Sequence, residues 1–533
     1  MSNLPKVKIK EKFHYKRIGQ GIITDIRNRL PYLRSDYSDA INYRVIPSTV
    51  YIFFTNLLPA IAFAQDMFDH TDNSYGLNEV LMSSAMGGIV FGLFSGQPLC
   101  IVGVTGPIAI FNFTVYDLIK DRDVDYFSFM CWVCLWSTLM HFILAIFNTV
   151  NYIRYITLYS CDVFGFFINC IYIQKGIQIL TRQFDGGDYA KGFASVMVAL
   201  LMCLFGLASV FFGTDSHYIK PVVRKIFADY GIPLSVVFFS GFIHFGGYLN
   251  NVDFETLPIS KSFQPTFEGR RSDWFIRFWE GCTVGDVFLA LPFALLLTFL
   301  FYFDHNVSSL MCQAHQFPVT KPSSFHWDYF LLGITTGVSG ILGIPAPNGL
   351  IPQAPLHSSS LCIKTHDYES GVDIVTGMVE QRVTNIAQGL LTLGMMSRPL
   401  LIVLGNVPQS VLAGLFWIMG LSGLNGNEVT NKLRFLFTDP ETIRLNPTEY
   451  QAKLSKIERK WLILFVIFEL IAFAFEFGIT CTKGAIGFPG VLMFFAIFAT
   501  FFDRIFPPDQ LEMLDAHAAS AFILQNLHRE TKI

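Results

Sequence analysis

Residues 97–113 read QPLCIVGVTGPIAIFNF and residues 343–357 read GIPAPNGLIPQAPLH; in both, an apolar stretch is broken by Gly and Pro. A helix that starts at such a break leaves up to four backbone N–H groups without internal partners and carries about half a positive charge at that end. Two such N-termini in a low-dielectric surrounding suit an anion or an oxygen-rich solute. In the first stretch, LCIVGVT is β-branched and reads as extended, and Gly106 followed by Pro107 reads as a helix start, because Pro at the first helical position forfeits no internal hydrogen bond. In the second, Pro352 and Pro355 fit a helix only near its first turn, and Asn348 is a good N-cap ahead of them. The expected ligand-facing groups are therefore the backbone around Thr105, Gly106, Pro107 and Ile108 and around Asn348, Gly349 and Leu350. Gln353 and His357, four residues apart on the second helix, share a face with each other.

Ionisable residues inside apolar stretches are the next chemical signal. Asp304 and His305 end the run 284–303 (VGDVFLALPFALLLTFLFYF). Asp304 either faces the site, exchanging a proton or positioning a cation, or marks a solvated helix end. Beside a bound anion its charge repels substrate unless it is protonated or cation-paired. His357 reads equally as a packing histidine or a proton relay. For Glu380 and Arg382, in VEQRVTNIAQGL, a structural ion pair or interfacial anchoring is favoured, and Asp286 fits either reading. Cys131 and Cys134 form a CxxC inside an apolar run without a second pair or histidines at ligand spacing, so they read as small buried hydrophobes. No HExxH, no G-x-S-x-G and no clustered metal ligands occur, so neither an enzyme nor a cofactor is expected, and no nucleic-acid partner.

These breaks sit among elements that the composition assigns to a bilayer. Of 533 residues, 52% are hydrophobic and only 15% charged, well under the quarter usual for soluble chains. Candidate spans cover roughly 45–65, 79–96, 126–150, 155–180, 192–213, 222–246, 283–303, 327–342, 371–397, 400–420, 459–478 and 484–503. The first stretch, 1–44, holds Lys6, Lys8, Lys10, Lys12, Lys16, Arg17, Arg27, Arg29, Arg34 and Arg44, which places the N-terminus in the cytoplasm. A solvated tail is favoured over contact with anionic membrane lipid. The breaks at 107 and 348 are separated by nearly the same distance as the first spans of the two halves, near 45 and 283, so the chain reads as two repeats, 45–250 and 281–505. A loop at 251–280 joins them, and a tail at 506–533 carries a short surface helix. Interrupted segments at matching places in two halves mark a transporter's central site, and an odd number of spans per half makes the repeat inverted.

TNLLPAIAFA (55–64), LNEVLMSSAMGGIVFGLFSGQPLCIVGVTGPIAIF (77–111), GIP (343–345) with His357 and Leu361, and VEQRVTNIAQGLL (379–391) resemble the membrane domain of the bicarbonate transporter and anion-exchanger family, over about 45–505. Within that family, Gly343 to His357 is most similar to the boron transporters of fungi and plants, the fungal branch above all. The resemblance implies an all-α polytopic protein of 14 transmembrane segments in two inverted repeats of seven. It implies a core domain holding two half-helices that meet at the midplane, and a gate domain through which two copies form a homodimer. Asp304 falls where the family carries an acidic residue on its eighth segment, Glu in the exchangers. The exchangers carry arginine where this chain has Gln353, and a neutral amide suits B–OH groups better than a strongly anionic substrate. The implied activity is export of borate or boric acid across the plasma membrane by alternating access, with Asp304 and His357 as coupling or proton groups. Bicarbonate or chloride exchange is the alternative.

Overall fold

The computed structural model describes residues 18–515 apart from 186, 215–219, 248, 271–272, 315–316, 367–372, 446–448 and 483. The lysines up to Lys16, Arg17 and the tail beyond 515 lie outside the described residues. Two short helices, α1 (Gln20–Arg29) and α2 (Leu33–Ser38), precede α3 (Val45–His70) and α4 (Leu77–Phe94). A two-residue strand, β1 (Val102–Gly103), leads into α5 (Gly106–Ile119), followed by α6 (Tyr126–Ile146), α7 (Leu158–Arg182), α8 (Tyr189–Thr214) and α9 (Pro221–Phe242). After a loop come α10 (Val284–Met311) and α11 (His326–Leu342), then β2 (Asn348–Gly349) and α12 (Gln353–Leu361). A hairpin of β3 (Cys362–His366) and β4 (Asp373–Met378) precedes α13 (Val383–Gly394), α14 (Arg398–Gly405), α15 (Gln409–Gly426) and α16 (Glu428–Phe437). The last described elements are α17 (Pro440–Leu445), α18 (Glu449–Leu454), α19 (Arg459–Thr480), α20 (Phe488–Ala499) and α21 (Pro508–Leu514).

Among the described residues, eight helices are long and apolar enough to cross a membrane, or nine if α13 and α14, bent by 81° to each other, count as one span. Helices dominate because lipid offers backbone groups no partner, so each segment must satisfy its own. Two groups of helices pack chiefly among themselves: α3, α4, α6 and α10–α13 in one, α7–α9, α15, α19 and α20 in the other.

Two expected spans are redrawn. Of the expected span 371–397, the described residues form β4, a non-helical connection and α13, because Glu380, Gln381 and Arg382 are buried where fixed partners need them, outside any helix. The stretch 400–420 divides between α14 and α15, with Pro408 capping the second helix. The N-terminal segment is not a solvated tail from residue 20 onward. Asp25 accepts hydrogen bonds at 3.1, 2.7 and 3.1 Å from the amides of Phe325, His326 and Trp327, covering the start of α11. The loop after α9 is likewise fastened: Glu79 on α4 accepts from the amide and hydroxyl of Thr266 at 2.7 and 2.6 Å.

At the middle of the first group β1 and β2 pair antiparallel, Val102 opposite Gly349 and Gly103 opposite Asn348. The Leu350 amide extends the ladder to the Ile101 carbonyl at 2.9 Å. Glycine is needed at 349, since a Cβ there would stand 2.9 Å from both His305 Cα and Ser308 Cβ of α10.

Candidate functional site

The two interrupted stretches meet at this ladder, and both half-helices spring from it within a few residues. Thr105 caps α5, its hydroxyl accepting from the Ile108 amide at 3.4 Å, and Pro107 sits in the first turn. No hydrogen bond joins the Gly106 amide to an acceptor among the described residues. Gly106 faces aromatic walls: a Cβ there would lie 3.3 Å from the Phe63 ring and 3.6 Å from that of Tyr172.

The second arm differs from its expected form. Asn348 is a strand residue, and α12 starts at Gln353 with Pro352 as its N-cap and Pro355 in its first turn. The reason is local: the Asn348 side chain is already engaged, accepting from the Gly349 amide at 2.8 Å and donating to Asp304 Oδ2 at 3.2 Å. The Gly349 and Leu350 amides thus have protein acceptors, Asn348 Oδ1 and Ile101 O. The Gln353 amide has none among the described residues.

Around the ladder, side chains are buried with unspent hydrogen-bonding capacity. Asp304 is 2% exposed inside α10, which runs on to Met311, so it is no solvated helix end. Its Oδ1 has no partner among the described residues. Gln353 donates Nε2 to the Thr55 carbonyl of α3 at 3.3 Å, leaving Oε1 unpartnered. His357 holds the Leu99 carbonyl through Nδ1 at 2.9 Å and leaves Nε2 unpartnered. His305 packs edge-on to Phe91 with both ring nitrogens unpartnered. Such groups are costly to bury, and all four lie on α10 or α12, the helices that flank the ladder. No group of residues suited to a metal ion occurs among the described residues.

The remaining ionisable candidates are structural. Asp286 completes a capping box with Thr283 at the start of α10. Glu380 accepts from the Thr320 hydroxyl at 2.6 Å and the Lys321 amide at 3.0 Å. Arg382 pairs with Asp36, Nη2 to Oδ2 at 2.6 Å, so the two are not each other's partner. Asp36 also binds Lys321 at 2.8 Å and Arg29 at 3.0 Å. Burial lowers the Arg29 pKa from its ordinary value against the pull of Asp36. A second buried pair, Lys175 on α7 and Asp66 on α3 at 2.9 Å, links the two helix groups. Both lie on apolar helices, where opposite charges were a readable signal. Asn56, Asn385 and Gln388 are also buried beside the ladder. Nothing in one-dimensional spacing joins Asn56 to Gln388, which are 332 residues apart.

The chain matches the HCO3− transporter integral membrane domain over residues 17–192 and 189–519. It belongs to that family. Among the family's members it is 53% identical to Boron transporter 1 of Saccharomyces cerevisiae, over 96% of this chain and 88% of that one. It is 26% identical to Boron transporter 4 of Arabidopsis thaliana, over 94% and 87%. The transmembrane domain of the cyanobacterial bicarbonate transporter BicA has the same kind of fold, with a TM-score of 0.50 at 14% identity over 81% of this chain and 98% of that one. This member of the HCO3− transporter family is a multi-pass helical membrane transporter.

Proposed function

We propose that this chain is a secondary transporter that exports borate or boric acid across the plasma membrane by alternating access. The carrying observation is the ladder between β1 and β2, where two half-helix N-termini and the neutral amide of Gln353 converge. Free amides at Gly106 and Gln353 and the helix dipoles favour negative charge or oxygen, while no cationic side chain pairs with Asp304 among the described residues. Similarity to proteins named boron transporters points the same way. Thr105, Gly106, Pro107 and Ile108 would line one side of the solute, and Asn348, Gly349, Leu350 and Gln353 the other. Asp304 takes up a proton as the site fills, which removes its repulsion of an anion, and His357 serves as a secondary proton group.

The antiparallel crossing of two arms with the same order, strand then helix, is what an in-plane two-fold axis between repeats 45–250 and 281–505 would produce, in keeping with fourteen segments in two inverted sevens. The group that holds the ladder acts as the core and the other as the gate, through which two copies associate, with both termini cytoplasmic. Bicarbonate or chloride exchange is the second reading, favoured by the family's own description.

Boron efflux from proteoliposomes, with chloride and bicarbonate fluxes alongside, tests the proposal. Boron flux that is lost in Gln353→Arg and in Asp304→Ala, both still folded, is expected. Chloride or bicarbonate exchange without boron flux would overturn it.

A further inference from the structure

We infer that Asn56 is a specificity-determining residue that presents a hydrogen-bond acceptor to the solute, its polarity fixed by a relay of carboxamides anchored on the backbone. The inference rests on the borate reading and deepens it. The relay begins at Asn385 on α13, whose Nδ2 donates to the carbonyls of Pro98 at 3.2 Å and Cys100 at 3.0 Å. Carbonyls only accept, so the Asn385 nitrogen must point that way and its Oδ1 must point inward. That oxygen accepts from Gln388 Nε2 at 3.0 Å, which turns Gln388 Oε1 toward α3. Gln388 Oε1 in turn accepts from Asn56 Nδ2 at 3.0 Å. Each amide's orientation is thereby dictated by the one before it, which turns the Asn56 oxygen away from Gln388 and leaves it wholly unspent, beside the second N–H of Nδ2.

That oxygen sits at the ladder. Asn56 is 2% exposed and its Oδ1 has no partner among the described residues. A Cβ on Gly103 would stand 3.0 Å from it, so glycine at that position keeps the oxygen clear of any side chain from β1. Gly103 is the residue opposite Asn348, whose amide holds Asp304. Thr55, the neighbour of Asn56, carries the carbonyl that orients Gln353.

The same logic applies to those two groups. The Thr55 carbonyl selects Gln353 Nε2 and leaves Oε1, and the Gly349 amide selects Asn348 Oδ1 and leaves Nδ2 for Asp304. Three buried side-chain oxygens remain unpartnered near the crossing: Asn56 Oδ1, Gln353 Oε1 and Asp304 Oδ1. A site with three unspent side-chain acceptors and with donating helix amides fits a solute that carries several O–H donors on an electron-rich oxygen framework. Borate and boric acid present one O–H on every oxygen. Bicarbonate presents a single one and chloride none, so either would leave buried acceptors unpaired at a cost that discriminates against it.

The test is equilibrium binding of boric acid and borate to the purified full chain, wild type beside Asn56→Leu and Gln388→Met, with thermal melting as a folding control. Asn56→Leu keeps the shape and removes the acceptor, so boron Kd should rise about tenfold, the worth of one ordinary hydrogen bond. Gln388→Met cuts the relay and lets the Asn56 amide turn over, so boron affinity falls less, and discrimination against chloride falls with it. Should Asn56→Leu fail to fold, Gln388→Met decides alone. Wild-type boron affinity in folded Asn56→Leu, or unchanged affinity and discrimination in Gln388→Met, overturns the assignment while leaving the borate reading in place. Wild type that binds chloride or bicarbonate and no boron overturns both.

Discussion

Asp36 and Asp304 are equally hidden carboxylates with opposite surroundings. Asp36, on the N-terminal helix α2, is grasped by Arg29, Lys321 and Arg382 at 2.6 to 3.0 Å. Asp304, at the β1–β2 crossing, receives a single amide hydrogen bond at 3.2 Å and keeps one oxygen unpartnered. A buried charge with a full set of partners fastens elements together, and removing it strands the partners. A buried polar group left short of partners is costly to keep, and that cost is retained where a solute or proton completes the set. Burial alone does not separate the two roles; satisfaction does.

The comparison breaks most easily at Asp36. Asp36→Asn strands three buried cations and should cost about 3–5 kcal/mol, read as a large drop in melting temperature in detergent and poor delivery to the membrane. Unchanged melting would mean the cluster is not structural. Lys175→Met should cost slightly less, about 3 kcal/mol, because His70 remains near Asp66. The charge-exchanged double variant Asp66→Lys with Lys175→Asp should regain part of it, and failure to regain any would argue against a simple pair.

Asp304→Asn sharpens the contrast from the other side. Melting should move by no more than about 1 kcal/mol equivalent, while boron flux falls by roughly ten- to a hundredfold, the range of one charge-assisted hydrogen bond. A variant that melts early and transports normally would reverse the roles of the two aspartates. Thr283→Ala, which removes an N-cap at the outer end of α10, should lower stability by about 1 kcal/mol and leave flux alone. A flux defect there would show that the site reaches farther along α10 than its hydrogen bonds do.

Much of this arrangement was legible in the sequence because prolines and glycines impose local rules. Gly106 with Pro107, and Pro352 with Pro355, fixed where half-helices begin, and the run around Asp304 marked an ionisable group at membrane depth. What spacing could not convey was which groups find partners. Asn348 reads as a cap by type, yet pairing with Gly103 holds it on a strand. Glu380 and Arg382 read as a pair by proximity, yet each bonds to segments far along the chain, Lys321 and Asp36. The basic N-terminal stretch reads as solvated because the acceptors for Arg29 and the amides awaiting Asp25 are set only by tertiary packing. The carboxamide relay is not legible in the sequence for the same reason, since neutral Asn and Gln in apolar helices carry no sign of their orientation until their neighbours are known.

The measurement that bears most directly on the central claim is entry of isotopically labelled boron into proteoliposomes preloaded with unlabelled boron, chloride or bicarbonate. Acceleration by internal boron and none by the other two is the predicted result. Labelled boron that stays outside whatever the preload would contradict a site built to recognise B–OH groups.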